Sequence, residues 1–346
     1  LFTGEQMYQF IKNNPIGRRL GFAIFLAMVN FSPVANAQYQ DPLETPAVNM
    51  PMAKYSLLLD ITRAGKRLLA VGERGHILYS NDSGLNWQQA NVPVQTQLNA
   101  LSFVDQYHGW AVGEDAVILH TQDGGLNWKK QFDDRNGEAL GPLMDVLFLN
   151  KHVGMAVGVF NKIYRTTDGG NNWQPWMSHV DNEDEWHLFS IAATSQQDIY
   201  IASEAGLLFY SSDGGLNFNA WQTDHYGTFH GLLARRNFLD KEQLIIFGVG
   251  GKLFVSTDGK ENLKEMNSNS QSGLSAGTWL KDGSALLVGA EGVLVKSDTA
   301  LKNWKLSAVP TGLPLSGVVK IPGANVYVGL GGIQRVEQDY IAGRQE

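Results

Sequence analysis

The chain has 346 residues, 43% of them hydrophobic and 18% charged, and its formal net charge is −7. A chain of this size buries at least one large core, and its acidic balance argues against a broad nucleic-acid-binding face. Cysteine is absent, which excludes disulfide bonds and thiolate metal sites.

The N-terminal segment has the three-part pattern of a secretory signal peptide. Basic residues precede an apolar run over residues 20–29, and a stretch of small residues follows up to Ala37. The apolar run is about half the length that a membrane-spanning helix needs, so we expect cleavage after Ala37 rather than a retained anchor. The sequence therefore predicts a signal peptide over residues 1–37 and one exported domain over residues 38–346.

A short motif of the form Ser/Thr-x-Asp-x-Gly-x-x-Trp, the Asp box, recurs along the rest of the chain. Its aspartates are about 40 to 45 residues apart, which is the spacing of a structural repeat. A glycine or serine that ends an apolar run precedes each of the six boxes, and a seventh such residue, Gly329, has no box after it. The box residues are Ser80, Asp82, Gly84, Trp87, Thr121, Asp123, Gly125, Trp128, Thr166, Asp168, Gly170, Trp173, Ser211, Asp213, Gly215, Phe218, Ser256, Asp258, Asp298 and Trp304.

Each of the seven units contains four short strand-like segments separated by turn residues, and no window shows sustained helical periodicity. This pattern predicts an all-β fold, a seven-bladed β-propeller of four-stranded blades with Asp-box hairpins. The last unit ends one strand short, whereas residues 46–52 resemble residues 89–94 in the fourth strand of the first unit. We therefore expect the N-terminal strand to complete the last blade and close the ring.

The Asp box is interpreted as structural. Aspartate accepts hydrogen bonds from backbone N–H groups nearby, glycine supplies the positive φ of a tight hairpin, and tryptophan packs against the blade. A motif repeated around a ring does not form one active site.

A Val-Gly-x-x-Gly turn at residues 71–75, with an Asp box after it, recurs in this paired form along the chain. With this paired motif the chain resembles the photosystem II assembly and stability factor family of Asp-box (BNR-repeat) propellers, over roughly residues 45–340. The resemblance implies a non-enzymatic, cofactor-free propeller that assists assembly of a membrane protein complex, photosystem II in photosynthetic organisms. It implies location in the periplasm, or in the thylakoid lumen of a photosynthetic host.

Three consecutive connections between units, from the second unit to the fifth, are longer than the others. Such connections emerge on one face of a propeller, so we expect a wall beside the central opening, where binding residues concentrate. Aromatic side chains beside carboxylates and imidazoles there suit a peptide, a protein loop or a sugar, whereas the alternative is a solvated acidic loop. The candidate partner-binding residues are Arg135, Trp176, His179, Glu183, Glu185, Trp186, His187, Trp221, His225 and Tyr226.

The main alternatives are an Asp-box glycoside hydrolase or sialidase and a glycan-binding propeller. Glu183, Asp184, Glu185 or Asp224 would have to supply the two carboxylates of a glycosidase. No spacing joins them to the arginine cluster and nucleophilic tyrosine that a sialidase needs, so we do not expect an enzyme.

Other ligand classes find no support in the sequence. The histidines of the long connections lack the spacing of metal ligands. The glycine-rich stretches fall on the blade repeat, with no helix after them to bind a nucleotide. We therefore expect a protein that binds no metal, cofactor, nucleotide or nucleic acid and that is monomeric by itself. The family resemblance implies a membrane protein or membrane protein complex as its partner.

Overall fold

The computed structural model describes residues 39–135, 141–260 and 262–337. These residues form seven antiparallel sheets, which confirms the seven-bladed β-propeller. The predicted signal peptide and its cleavage point at Ala37 lie outside the described residues. No helix in the described ranges is long and apolar enough to cross a membrane.

The blades follow one another along the chain. Blade one contains β1 (Leu58–Ala64), β2 (Arg67–Gly72), β3 (Ile77–Ser80) and β4 (Gln88–Gln89). Blade two contains β5 (Leu98–Phe103), β6 (Gly109–Gly113), β7 (Ile118–Thr121) and β8 (Lys129–Phe132). Blade three contains β9 (Leu143–Phe148), β10 (Gly154–Gly158), β11 (Ile163–Thr166) and β12 (Gln174–Pro175). Blade four contains β13 (Leu188–Ala193), β14 (Ile199–Ser203), β15 (Leu207–Ser211) and β16 (Asn219–Gln222).

Three further blades complete the ring. Blade five contains β17 (Phe229–Arg236), β18 (Glu242–Gly248), β19 (Leu253–Ser256) and β20 (Lys264–Glu265). Blade six contains β21 (Leu274–Trp279), β22 (Ala285–Gly289), β23 (Val293–Ser297) and β24 (Trp304–Ala308), and blade seven contains β25 (Leu315–Ile321), β26 (Ala324–Gly329) and β27 (Gln334–Glu337). The helices of the described residues are short 3-10 turns at Ala53–Tyr55, Glu73–Gly75, Glu114–Ala116, Met177–His179, Val249–Gly251 and Ala290–Gly292.

The core is divided among the interfaces between blades. Seven clusters of buried apolar side chains each join two neighbouring blades, because each sheet presents one face to the blade before it and one to the blade after it. The first strands of neighbouring blades lie against each other around the whole ring, so they form its inner wall.

Hydrogen bonds between side chains and backbone join these inner strands. Asp60 Oδ2 accepts from Leu101 N at 2.8 Å, which joins blades one and two. Asp145 Oδ2 accepts from Ile191 N at 2.9 Å, which joins blades three and four. Three further bonds of this kind are Asn99 Nδ2 to Leu143 O, Ser275 Oγ to Leu315 O and Ser316 Oγ to Leu58 O.

The structure corrects the prediction that the N-terminal strand completes the last blade. Blade seven has three strands in the described residues, and the N-terminal segment lies on blade one instead. Ala47 N donates to Val92 O at 3.0 Å and Gln95 N donates to Pro42 O at 2.7 Å. The fourth strand of blade one pairs with β3 over two residues only, so the backbone that follows it is free to bind this segment.

Side-chain packing closes the ring, together with a backbone hydrogen bond from Ile333 N to Lys54 O at 2.9 Å. Leu58 and Ala70 of blade one share a buried cluster with Val326 and Val328 of blade seven. Arg335 Nε donates to Ser83 O at 3.0 Å at the outer side of the same interface. Blade seven thus packs on blade one as any other blade packs on its neighbour.

Six of the seven second strands end in a glycine, at a point where two backbones approach closely. Gly113 is fully extended, with φ −171°, but a Cβ on it would lie 1.9 Å from Gln97 O. We therefore expect Gly113→Ala to lower the free energy of unfolding by about 3 kcal/mol, measured by urea denaturation. Blade four has Ser203 at this position, where Oγ donates to His187 O at 2.6 Å, so Ser203→Gly should cost only about 1 kcal/mol. Equal effects of the two changes would contradict this account.

The two ends of the blades form two different faces. Because strands alternate in direction, the turns between second and third strands lie at the same end as the connections between blades. We call this the crossover face; it includes residues 73–75 and 91–97. The Asp boxes and the turns between first and second strands form the opposite face, the box face, which includes residues 65–66 and 81–87.

Candidate functional site

The Asp boxes are compact hydrogen-bonded hairpins on the box face. Ser80 Oγ donates to Asp82 Oδ1 at 2.8 Å and accepts from Gly84 N at 2.9 Å, while Trp87 Nε1 donates to Gly84 O at 3.1 Å. Hydrogen bonds from Asn86 N and Nδ2, with that from Ser80, lower the pKa of Asp82 to about 2. Sequence reasoning missed the asparagines that bind the aspartate in each box: Asn86, Asn127, Asn172, Asn217, Asn262 and Asn303.

The crossover face differs from blade to blade although its backbone repeats. The second residue of the turn after each second strand has a left-handed φ between 54° and 62° in blades one to six. That residue is charged in blades six, one and two, but it is Phe160, Ala205 or Gly250 in blades three to five. The charged residues are Glu291, Arg74 and Asp115. At this turn position blades three to five therefore carry no charged side chain, and the longest connections lead to these same blades.

A row of rings crosses blades three to five on the crossover face. We name Phe160, His187, Phe189 and His230 the aromatic sector. The Phe160 ring is 53% exposed and lies 4.6 Å from His187, centroid to centroid. Phe189 lies 6.2 Å from His187 and 6.0 Å from His230. Burial lowers the pKa of His230, which keeps that ring neutral near pH 7.

The loop that carries His187 is held by buried amides. Asn182 Nδ2 donates to Asn161 Oδ1 at 3.0 Å and to Trp186 O at 2.9 Å, and Asn182 Oδ1 accepts from Trp186 N at 3.0 Å. Phe160 N donates to His187 Nδ1 at 3.1 Å, so the loop and the turn are bonded to each other. These bonds leave Glu183 and Glu185 as an exposed acidic tip. Sequence reasoning missed Asn161 and Asn182, because neither belongs to a recognisable motif.

Arg135 is engaged by the N-terminal segment. Its guanidinium contacts Asp41, Glu44 and Asp133, at 2.8 Å for the last two. Lys130 Nζ adds bonds of 2.6 Å to Glu44 and 2.9 Å to Asp133. In this structure Arg135 holds the segment on blades one and two.

Three other candidate partner-binding residues, Trp176, His179 and Trp221, lie toward the outside of the ring. The Trp176 ring stacks on the His179 ring, with 3.9 Å between centroids. Trp176 Nε1 donates a hydrogen bond of 3.0 Å to Gly215 O in the Asp box of the next blade. Trp221, on the outer strand of blade four, packs against the cluster between blades four and five. These side chains belong to the outer packing, so the structure separates them from the aromatic sector.

The connection from blade four to blade five divides its side chains between two environments. Tyr226 is 83% exposed on the crossover face. His225 turns outward with Trp221 and Asp224 to line a cavity of about 440 Å³ beside Lys252, and burial lowers the pKa of His225. Among the residues that the structure describes, no three His, Asp or Glu side chains could together hold a metal ion.

Comparisons with known proteins confirm the resemblance to photosystem II assembly factors. Residues 79–140 and 135–226 match the model of a family described as photosynthesis system II assembly factor YCF48. A search of curated proteins gives no match.

Solved structures show the same fold at low sequence identity. A structure described as YCF48 bound to D1 peptide matches with a TM-score of 0.66 and 20% identity, over 87% of this chain and 96% of that one. YCF48 from Cyanidioschyzon merolae matches with a TM-score of 0.63 and 18% identity, over 85% and 98%. The WD40 β-propeller domain of Doa1 gives 0.64 and 12%, over 85% and 96%.

Proposed function

We propose that the protein is an exported, non-enzymatic propeller that binds a segment of a membrane protein and assists assembly of its complex. The match to the assembly-factor family and the similarity to the structure of YCF48 bound to D1 peptide support a binding role. The pattern over residues 1–37 supports export to the periplasm, or to the thylakoid lumen of a photosynthetic host.

The observation that carries this proposal is the aromatic sector. Aromatic side chains on rigid turns lose little conformational entropy when they are covered, which is why they dominate binding surfaces. Here the rings contact one another on the crossover face, Phe160 is exposed, and its backbone N–H donates to His187 Nδ1 in the neighbouring loop. Tyr226 adds an exposed aromatic side chain on the same face.

Charge indicates the kind of segment that would bind. The acidic tip at Glu183 and Glu185 follows Asn182 and precedes His187, so it borders the aromatic sector. A partner segment that pairs apolar residues with a lysine or arginine would satisfy both surfaces.

The test is capture of the partner from membranes. The purified mature protein is incubated with mildly solubilised membranes, and bound proteins are identified by mass spectrometry. We expect one membrane protein to be enriched, and Phe160→Asn with Tyr226→Ser to reduce its capture at least tenfold. Asparagine tolerates the left-handed backbone at position 160, so this variant should keep the fold.

The matched control is Leu85→Ser with Tyr107→Ser, two comparably exposed residues on the box face. This control should capture the partner as the native protein does. Failure to enrich any membrane protein, or equal capture by the crossover-face variant, would refute the proposal. Turnover of a chromogenic glycoside by the native protein would instead favour the hydrolase alternative.

A further inference from the structure

The hairpin between β17 and β18 extends further on the box face than its neighbours. β17 has eight residues and β18 has seven, whereas the corresponding strands of blade six have six and five. The last pair of the ladder is Arg236 with Glu242, and residues 237–241 form the turn. Blade five therefore carries a projection that blade six lacks.

The turn is rigid because one side chain organises its backbone. Asn237 Oδ1 accepts from Leu239 N at 2.9 Å and from Lys241 N at 3.1 Å. Asn237 N donates to Lys241 O and Asp240 N donates to Asn237 O, both at 2.9 Å. These bonds order the backbone of the turn that carries Phe238 and Leu239 at its apex.

These two apex residues are apolar and uncovered. The Phe238 side chain is 94% exposed and that of Leu239 is 63% exposed. Single exposed apolar residues are common on protein surfaces, but two adjacent bulky ones at the apex of an ordered projection are not. No contact within the described chain accounts for them.

The charges around the apex are unequal in their pairing. Arg236 binds Asp198 at 3.1 Å, Glu242 at 3.2 Å and Asp240 at 3.6 Å. Asp282, beside Lys281, accepts from Ser284 Oγ at 2.6 Å but forms no ion pair among the described residues, so it keeps its negative charge. Two exposed lysines likewise form no ion pair of 4 Å or less among the described residues. One is Lys241 in the turn, whose charge helps to lower the pKa of Asp258. The other is Lys281 in the adjacent turn, which Arg235 NH2 joins through Gly283 O.

We propose that this tip inserts Phe238 and Leu239 into the interface of a phospholipid bilayer, with Lys241 and Lys281 at the level of anionic headgroups. A protein interface of ordinary size needs an apolar centre far broader than two side chains. A bilayer interface accepts a small convex apolar tip a few ångströms deep and places nearby lysines beside phosphates. The box face then meets the membrane, and the crossover face remains open to a partner.

Vesicle sedimentation tests this directly. The purified mature protein is mixed with vesicles of phosphatidylcholine alone, or of phosphatidylcholine with about one third phosphatidylglycerol. We expect weak, reversible binding that is stronger to the mixed vesicles. Phe238→Ser with Leu239→Ser should lower the partition coefficient at least tenfold, because the tip supplies the inserted apolar surface. Lys241→Gln with Lys281→Gln should weaken binding to the mixed vesicles about tenfold and leave binding to phosphatidylcholine unchanged.

The matched control is Leu85→Ser with Leu216→Ser, exposed leucines of two Asp boxes on the same face, which should bind vesicles as the native protein does. The proposal is overturned if the native protein binds neither vesicle, or if the tip variant binds as well as the control. It is also overturned if the tip variant loses a protein partner in detergent, without vesicles, because the tip would then dock on protein.

The proposal does not depend on peptide binding at the crossover face. The variant Phe160→Asn with Tyr226→Ser should bind vesicles normally, and the tip variant should capture the membrane protein normally in detergent. Failure of one proposal therefore leaves a different signature from failure of the other.

Discussion

Trp110→Ala should lower the free energy of unfolding by about 4 kcal/mol, the range for losing a fully buried tryptophan. Trp110 is 0% exposed in β6 of blade two. Its ring stacks on Phe148 of blade three at 3.4 Å between centroids and on His120 at 4.7 Å. The cavity would open between two blades rather than inside one sheet, so it would weaken the packing on which the ring depends.

Urea denaturation followed by tryptophan fluorescence and circular dichroism would measure this loss. Trp110→Phe is the matched control, since it keeps an aromatic ring in the stack and Trp110 Nε1 has no hydrogen-bond partner in the described chain to lose. We expect this change to cost about 1 to 2 kcal/mol. A loss of similar size for both variants would show that the stack with Phe148 contributes little.

Asp145→Asn should stabilise the protein at about pH 8 and have a much smaller effect at about pH 4. Burial raises the pKa of Asp145 from 3.8 to about 7, and the charge of Asp60 acts in the same direction. Because the folded pKa lies above the unfolded one, the carboxyl favours folding most below pH 3.8, and this advantage is lost as pH rises through 7. The shift corresponds to roughly 3 kcal/mol or more between the two conditions.

The measurement is the free energy of unfolding of variant and native protein at several pH values. Asp168→Asn, in an Asp box, is the opposite case, since hydrogen bonds from Asn172 lower the pKa of Asp168 to about 2. Its carboxylate favours folding above pH 3.8 and loses that effect only as pH falls toward 2, so this variant should be destabilised evenly between about pH 4 and pH 8. The expectation for Asp145 fails if its variant shows the same flat profile.

The fold was readable from the sequence because the chain repeats itself. Glycines such as Gly113 mark where two backbones meet, and the Asp boxes mark the turn before each fourth strand, so the number of blades follows from counting. The face that carries the long connections was also predictable, since alternating strands leave no other end for them.

The positions of individual side chains were not predictable in the same way. Trp176 and Trp186 look alike in the sequence, yet Trp176 bonds to the next blade's Asp box while Trp186 lies in a loop held by Asn182. Arg135 was a candidate partner-binding residue, but in the structure its guanidinium forms an ion pair with Asp41, which is far away in the sequence. The prediction of the closing strand was wrong for a related reason. The sequence of the N-terminal segment does not show whether its backbone will bond to blade seven or to blade one.

The closure of the ring has a consequence for the order of folding. In the described residues the strands of each blade are consecutive in the chain, from β1–β4 to β25–β27. Among the described residues no sheet takes a strand from the other end of the chain, so each can complete its ladder as soon as its own segment has emerged during synthesis. Only the interface between blades seven and one depends on the whole chain. A chain halted before blade seven would hold six formed sheets and two uncovered apolar faces, which is a state prone to self-association.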